Sequence, residues 1–96
     1  MRFIWSRDAG RDRDNIFDHI APENFSAAVA NDGRIASIDV QLTRFPHSGR
    51  PGRVAETREL VISGTPYIAI YVIRDGALVV LNLIHGAQQW PPRKAN

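Results

Sequence analysis

The spacing of apolar residues changes at a segment rich in glycine and proline, residues 46–53 (PHSGRPGR). Before this segment, apolar residues recur three and four positions apart, which is typical of helices that bury one face. After it, they alternate with polar residues in short β-branched runs, which is typical of strands. Helices followed by a run of strands predict an α+β fold. The length leaves room for one such domain, residues 1–96.

The first half of the chain predicts a strand followed by two helices. Residues 1–5 form a short apolar piece that ends at Ser6, and serine is a favoured N-cap for the helix that follows. Asn24 is the N-cap candidate of a second helix. The short link between the two helices predicts an antiparallel helical hairpin over residues 7–43. The expected core face of the second helix comprises Ala28, Val29, Ile35, Ile38, Leu42 and Phe45.

Residues 57–85 predict an antiparallel meander of three strands. Strand-like runs cover residues 57–62, 67–73 and 77–84, and the turn signals GTP and DG separate them. The expected order is β-α-α-β-β-β, with the N-terminal strand and the helical hairpin packed on an antiparallel sheet. The helices then cover one face of the sheet and leave the other partly open, and residues 86–96 form a C-terminal tail.

Charge is divided unevenly along the chain. Residues 1–43 carry five cationic and seven anionic side chains, whereas residues 44–96 carry seven cationic and three anionic ones. Eleven of the twelve cationic side chains are arginine, whose planar fork suits carboxylates and phosphates. The basic half predicts an acidic partner, either a nucleic acid or an acidic protein segment. With no cysteine, signal peptide or membrane-spanning run, we expect a cytoplasmic protein without metal or other cofactor.

Arginines on the basic loop (residues 46–53) and a histidine at a strand end are the strongest candidates for contact with a partner. Two tyrosines on one strand face and a tryptophan in the tail complete the expected surface. The candidate residues for target or partner binding are Arg50, Arg53, Arg58, Tyr67, Tyr71, His85 and Trp90. Each aromatic candidate also has a structural alternative: cross-strand packing for the tyrosines, a bond to a nearby turn for His85, and packing on the sheet for Trp90.

Arg58 and His85 are the catalytic candidates if the chain cleaves RNA. Metal-free cleavage needs a base for the 2′-hydroxyl, a cation for the developing phosphorane charge and an acid for the leaving oxygen. Glu59 or His85 is the candidate base, with Arg58 as the cation. His85 or His47 is the candidate acid. Strand alternation argues against such a site, because Arg58 and Glu59 point to opposite faces of the sheet.

Three motifs follow the helical hairpin in order: FPHSGRPGR, TRELVISGTPYIAIYVI and LNLIHGAQQWPP. Together they resemble the ParE branch of the RelE/ParE toxins of bacterial type II toxin–antitoxin modules, and the resemblance is strongest over residues 46–92. It implies a small cytoplasmic toxin that a cognate antitoxin neutralises. It also implies that the antitoxin carries a ribbon-helix-helix DNA-binding domain, so that DNA is contacted only through the antitoxin.

The resemblance implies one of two targets. RelE-like toxins cleave mRNA in the ribosome, whereas ParE-like toxins inhibit DNA gyrase and are not known as nucleases. In the family pattern Arg58 matches the arginine of TRELV, and His85 matches the strand-end histidine. Two positions that are commonly basic in the family are Val72 and Gln88 here, and Lys94 is the only lysine. We therefore expect a non-enzymatic gyrase inhibitor; the alternative is a RelE-like, ribosome-dependent mRNA endoribonuclease.

The antitoxin is expected to bind beside the helical hairpin and the sheet edge as an extended and partly helical segment. Groove binding of an amphipathic helix and addition of a strand are both recurrent modes of peptide recognition. The apolar stripe of the first helix is thin at its start, which leaves room for a partner. The candidate contacts in this groove are Ile16, Phe17 and Ile20.

Overall fold

A computed structural model describes residues 1–92 of the chain. Its elements in chain order are β1 (Arg2–Trp5), α1 (Arg7–Ile20), α2 (Phe25–Ala36), α3 (Ile38–Arg44), β2 (Arg50–Pro51), β3 (Arg58–Val61), β4 (Tyr67–Arg74) and β5 (Ala77–His85). Within the described residues the strands form one sheet in the order β1-β5-β4-β3-β2. The expected α+β class is confirmed. The sheet is mixed, because β1 joins it parallel to β5.

Helix α1 docks on β5 at a bulge, where Leu81 has no partner across the β4–β5 ladder. The Ser6 hydroxyl donates to the Leu81 carbonyl at 2.9 Å, and the Asp12 carboxylate accepts from the Leu83 amide at 2.9 Å. These bonds satisfy backbone groups of β5 beyond the end of β1, so they orient α1 on the sheet. Within residues 1–92 no helix is long and apolar enough to cross a membrane.

The second predicted helix is divided at Ser37 into α2 and α3, although its pattern predicts continuity to about residue 43. Asn24 caps α2 as expected, since its side chain accepts from the Ala27 amide at 3.0 Å. The Ser37 hydroxyl donates to the Arg34 carbonyl at 2.6 Å. Serine side chains make such local bonds in competition with helical ones, which accounts for the break at this residue.

Most of the predicted core face of this helical region is buried: Ala28, Ile35, Ile38 and Leu42. The predictions for Val29 and Phe45 are wrong, because these side chains are 51% and 60% exposed. Val29 is about 100° around the helix from Ala28, outside a buried stripe that is narrow on α2. Phe45 follows the last residue of α3 and no longer has helical dihedral angles.

The helices cover one face of the sheet and form the main core with it. Alternation along β4 directs Tyr67, Ala69 and Tyr71 into this core. The opposite face carries a smaller apolar cluster made by Ile68, Ile70, Ile84 and Trp90. The tail therefore closes part of the face that the helices leave open.

The basic loop contains a two-residue strand, β2, although its glycines and prolines predict no regular structure. Arg50 pairs with Glu59, and Pro51 pairs with Arg58. Proline is tolerated here because β2 is an edge strand, so that the missing N–H faces no neighbouring strand. This short pairing holds the loop against β3.

The predicted hairpin turn at Asp75 and Gly76 joins β4 to β5. Both residues have positive φ angles, 53° and 74°, as a tight type I′ turn requires. This turn sets the register of β4 and β5 as far as Tyr71 and Val80. The bulge at Leu81 then shifts the register by one residue and places Tyr67 opposite His85.

Candidate functional site

Glu59 is a buried carboxylate that binds two arginines of the basic loop. Its side chain is 0% exposed. Arg50 Nη2 donates to it at 3.0 Å, and Arg53 donates through its backbone N at 2.9 Å and through Nε and Nη2 at 3.1 Å. We call these three residues the Glu59 clasp. Hydrogen bonds from Arg53, and then from Arg50, lower the pKa of Glu59 to about 2 despite its burial, far below the range of a general base.

Arg58 lies on the helix-covered side of β3 and is tied to the basic loop. Its Nε donates to the Gly49 carbonyl at 3.0 Å, and its Nη2 donates to the His47 carbonyl at 3.1 Å. Beside it lies a cavity of about 310 Å³, which we call the Arg58 cavity. It is lined by His47, Pro51, Glu56, Thr57, Arg58 and Ile73.

Tyr71 binds the same loop from the helix-covered face of the sheet. Its ring is 0% exposed, its hydroxyl donates to the Pro46 carbonyl at 2.7 Å, and that hydroxyl accepts from the Gly49 amide at 3.0 Å. A Cβ at Gly49 would lie 2.7 Å from the Tyr71 hydroxyl, so the close approach requires glycine. Tyr71 is therefore a packing residue with no ring surface for stacking on a base, and the Glu59 clasp and Tyr71 together hold the loop from both faces of the sheet.

His85 is exposed at the end of β5 and organises the start of the tail. Its Nδ1 accepts from the Ala87 amide at 3.1 Å, and its backbone N–H donates to Gln88 Oε1 at 3.2 Å. The ring also packs edge-on against Tyr67, with ring centroids 5.7 Å apart. The structural alternatives for these two residues, a bond to a turn and cross-strand packing, are thus the ones observed. Gln88 thus supplies a side-chain acceptor for the amide at the strand end.

The structure does not bring Arg58 and His85 together. Arg58 is opposite Tyr71 on β4, whereas His85 is opposite Tyr67. Four residues along β4 at about 3.3 Å each, and two strand spacings of about 4.8 Å, place their Cα atoms about 16 Å apart. The side chain of Arg58 is directed to the basic loop rather than toward β5.

Trp90 packs on the smaller apolar cluster, formed by Ile68, Ile70 and Ile84, on the open face of the sheet. Its indole Nε1 is buried and has no hydrogen-bond partner among residues 1–92. Of the two alternatives for Trp90, packing on the sheet is the one that the structure has.

A cavity of about 380 Å³ opens beside the helical hairpin, and we call it the hairpin groove: it is lined by Trp5, Gly10, Arg13, Asp14, Phe17 and Asp32. Arg13 spans it, with Nε 2.6 Å from Asp32 Oδ1, Nη2 2.9 Å from Asp32 Oδ2, and Cζ 5.2 Å from the centre of the Trp5 ring. The hydrogen bond from Arg13 lowers the pKa of Asp32. Sequence reasoning missed this trio, because its members come from β1, α1 and α2 and share no local signal.

Apolar side chains extend the hairpin groove along the helices. Phe17 packs edge-on against Phe25 at 5.8 Å between ring centroids, and Phe25 itself is 65% exposed. Val29, one turn further along α2, is 51% exposed. Of the other two predicted groove residues, Ile16 packs against the main core and Ile20 is half-buried.

Comparison with known proteins agrees with this architecture. The family model for the ParE toxin of type II toxin–antitoxin systems, parDE, matches residues 3–90. A Sinorhizobium fredii protein named "Putative toxin Y4kP" is 41% identical over 91 residues, which cover 94% of this chain and 93% of that protein. The fold is similar to a chain of the "Chromosomal ParDE TA system from P. aeruginosa" (TM-score 0.83, 24% identity, covering 88% and 95% of the two chains). It is also similar to the "YoeB/ParE toxin from Agrobacterium tumefaciens" (TM-score 0.59, 14% identity, covering 88% and 98%). Because the family match spans nearly the whole chain, the protein belongs to the ParE toxin family of type II toxin–antitoxin systems, whose toxins have a cognate antitoxin as partner.

Proposed function

We propose that this chain is a toxin that acts in the cytoplasm by binding DNA gyrase and does not cleave RNA. The observation that carries the proposal is the internal pairing of its arginines. Arg50 and Arg53 are bound to Glu59, and Arg74 donates to Glu56 at 2.8 Å. Proteins that bind nucleic acid draw much of their affinity from several cations that are free to contact phosphates. A surface whose arginines are already paired supports recognition of a protein instead.

The separation of the catalytic candidates also supports a non-enzymatic toxin. A general acid and a stabilising cation must both reach one phosphodiester within hydrogen-bond distance. The Cα atoms of Arg58 and His85 are about 16 Å apart on the strand geometry, and the Arg58 side chain is turned to the loop. Glu59, the other candidate base, is buried in the clasp, so neither candidate base reaches a phosphodiester at Arg58, although the candidate acid His47 lines the Arg58 cavity.

A gyrase assay tests the proposal. We expect the purified toxin to reduce supercoiling by gyrase and to cause cleaved DNA–gyrase complexes to accumulate. His85, which is exposed at the end of β5, stays with Arg58 a candidate for the target contact; His85→Ala should weaken inhibition, whereas His19→Ala, at an exposed position on α1, should not. Unchanged gyrase activity at excess toxin would contradict the proposal, and primer extension showing cleaved mRNA on ribosomes would favour the endoribonuclease.

We further propose that the antitoxin occupies the hairpin groove. Phe17, Phe25 and Val29 offer the apolar contacts that an amphipathic helix requires, and β1, whose Trp5 lines the groove, is an edge strand of the sheet. The Arg13–Asp32 pair marks the polar wall of the groove. In this arrangement DNA is contacted only through the ribbon-helix-helix domain that we propose for the antitoxin.

Two exposed phenylalanines provide a matched test of this placement. Phe25 is 65% exposed in the groove region, and Phe45 is 60% exposed after α3, so replacing either with serine removes a similar surface. Phe25→Ser should weaken binding of the cognate antitoxin at least tenfold in calorimetry, about the loss of one apolar anchor. Phe45→Ser should change it less than about twofold. Equal losses, or a larger loss for Phe45→Ser, would place the antitoxin elsewhere.

A further inference from the structure

The Arg58 cavity holds a guanidinium that is only partly used by the protein. Arg58 donates from Nε and Nη2, along one edge of its fork, to the carbonyls of Gly49 and His47. Among residues 1–92 its Nη1 makes no hydrogen bond, so the Nη1–Nη2 edge remains for a ligand. Arg58 itself lines the cavity.

This guanidinium is held in place by a rigid support. The carbonyl of Gly49 that accepts from Arg58 belongs to a residue whose amide is bonded to the buried Tyr71 hydroxyl. On the other face of the sheet the Glu59 clasp fixes the same loop. A side chain that is already oriented loses little conformational entropy when a ligand binds, which favours affinity.

The charges around the Arg58 cavity favour binding of a single carboxylate over binding of a nucleic acid. Arg50 and Arg53 are bound to Glu59, and Arg74 is bound to Glu56, which itself lines the cavity. Among residues 1–92, a phosphate backbone would find one arginine at this cavity that is not paired with a carboxylate, whereas nucleic-acid binding needs several. The planar fork of a single arginine matches a carboxylate with two parallel hydrogen bonds. The volume of about 310 Å³ lies at the lower end of the range that small ligands occupy.

We propose that the Arg58 cavity is a socket for one Asp or Glu side chain of a partner protein. Arg58 donates two hydrogen bonds to this carboxylate, and His47 and Thr57 line the socket beside it. The inference deepens the proposed function, because it rests on the target or the antitoxin being a protein that inserts an acidic residue. It is independent of which protein supplies that residue.

Nuclear magnetic resonance on the full-length, ¹⁵N-labelled toxin tests the socket without gyrase. The probes are the blocked peptide Gly-Gly-Glu-Gly-Gly, the same peptide with Gln in place of Glu, and penta-uridylate RNA. We expect the Glu peptide to shift the Nε–Hε signal of Arg58 and the amide signal of Thr57 in a saturable manner. The Gln peptide should bind at least tenfold more weakly.

Matched variants separate the effect of the planar guanidinium of Arg58 from the effect of its positive charge. Arg58→Lys keeps the charge but loses the fork, so the affinity for the Glu peptide should fall at least tenfold. Arg11→Lys, at an exposed position on α1 away from the cavity, should change it less than twofold. Because Arg58→Lys also removes bonds to the loop, the comparison of the two peptides on the unaltered toxin stands as a separate measurement.

The outcomes are decisive in both directions. Equal shifts from the Glu and Gln peptides, no saturable shift at Arg58, or tighter binding of penta-uridylate at this cavity would each overturn the proposal. Repeating the titration on the purified complex with the cognate antitoxin assigns the source of the carboxylate. Loss of peptide binding there would assign it to the antitoxin, and retained binding would assign it to the target. A failed gyrase assay would leave the peptide result unchanged, so the two proposals fail separately.

Discussion

The substitution Glu59→Gln removes the negative charge at the centre of the Glu59 clasp while keeping the size of the side chain. The carboxylate accepts hydrogen bonds from Arg50 Nη2 and from the backbone N, Nε and Nη2 of Arg53. Glutamine is of similar size, but one of its two acceptor oxygens becomes an NH₂ group that faces these donors. At least one donor group of the two arginines therefore loses its hydrogen-bond acceptor at this buried position.

The magnitude follows from the pKa of Glu59, which lies at about 2 in the folded protein against a usual 4.5. Each unit corresponds to about 1.4 kcal/mol, so the ionised carboxylate contributes about 3 kcal/mol to the free energy of unfolding at pH 7. Because the folded pKa is the lower one, this contribution is complete above the unfolded pKa and is lost as pH falls toward 2. The arginines are 43% and 56% exposed, and screening by solvent reduces the expected effect to about 2–3 kcal/mol.

Urea unfolding at pH 7 and pH 3 measures this effect. We expect Glu59→Gln to lower the free energy of unfolding by about 2–3 kcal/mol at pH 7, and by less than half as much at pH 3, where much of the charge contribution of the wild type is gone. Glu56→Gln is the control: its pair with Arg74 is 75% and 64% exposed, so it should change stability by less than about 0.5 kcal/mol. The same loss at both pH values would show that shape rather than charge stabilises the clasp, and would refute the reasoning.

Three further substitutions test the supports of the site by urea or thermal unfolding. Tyr71→Phe removes a hydroxyl that bonds two backbone groups of the basic loop, and it should lower the free energy of unfolding by about 1–3 kcal/mol. The control is Tyr67→Phe, because the Tyr67 hydroxyl makes no hydrogen bond within residues 1–92; it should cost less than about 0.5 kcal/mol. Equal losses would contradict the role of the Tyr71 hydroxyl. Gly49→Ala forces a methyl group against the Tyr71 side chain, 2.7 Å away, and should destabilise the fold by about 1–3 kcal/mol. Gly33→Ala is the control: a methyl group there meets nothing within 4 Å in its helix, so the substitution should stabilise the fold by about 0.5–1 kcal/mol. Trp90→Ala should lower stability by about 1–3 kcal/mol and raise the binding of an apolar dye to the open sheet face; unchanged dye binding would contradict the packing of the tail.

Features with a local cause were predictable from the sequence. The caps at Ser6 and Asn24 and the turn at Asp75 and Gly76 are confirmed, because each depends on residues that are neighbours in the chain. The break at Ser37 was missed, although its hydroxyl bonds a carbonyl only three residues away, because serine is also tolerated within helices. The short strand β2 was missed because its formation depends on β3 rather than on its own composition.

The candidate site shows a similar division. The sequence identifies an arginine-rich loop, but it counts charges without saying which are paired. Glu59 stood as a candidate base in that reading, and the fold makes it the buried partner of Arg50 and Arg53. Tyr71 and Trp90 stood as candidate contacts, and the fold gives them packing roles.

The sequence by itself determined the order of the main helices and strands, apart from the break at Ser37 and the short strand β2. It also determined the turns, the caps and the membership of the ParE toxin family, because periodicity and motifs depend on residues that are neighbours in the chain. The tertiary structure alone decided which cations remain available. Ion pairing depends on which strands become neighbours, and the pairing of β2 with β3 places Arg50 opposite Glu59. Among residues 1–92, the same pairing leaves Arg58 with one free edge at a cavity. The basic loop suggests a polyanion in the sequence, but in the fold both of its arginines are bound to Glu59, and the oriented arginine at the cavity is Arg58 on β3.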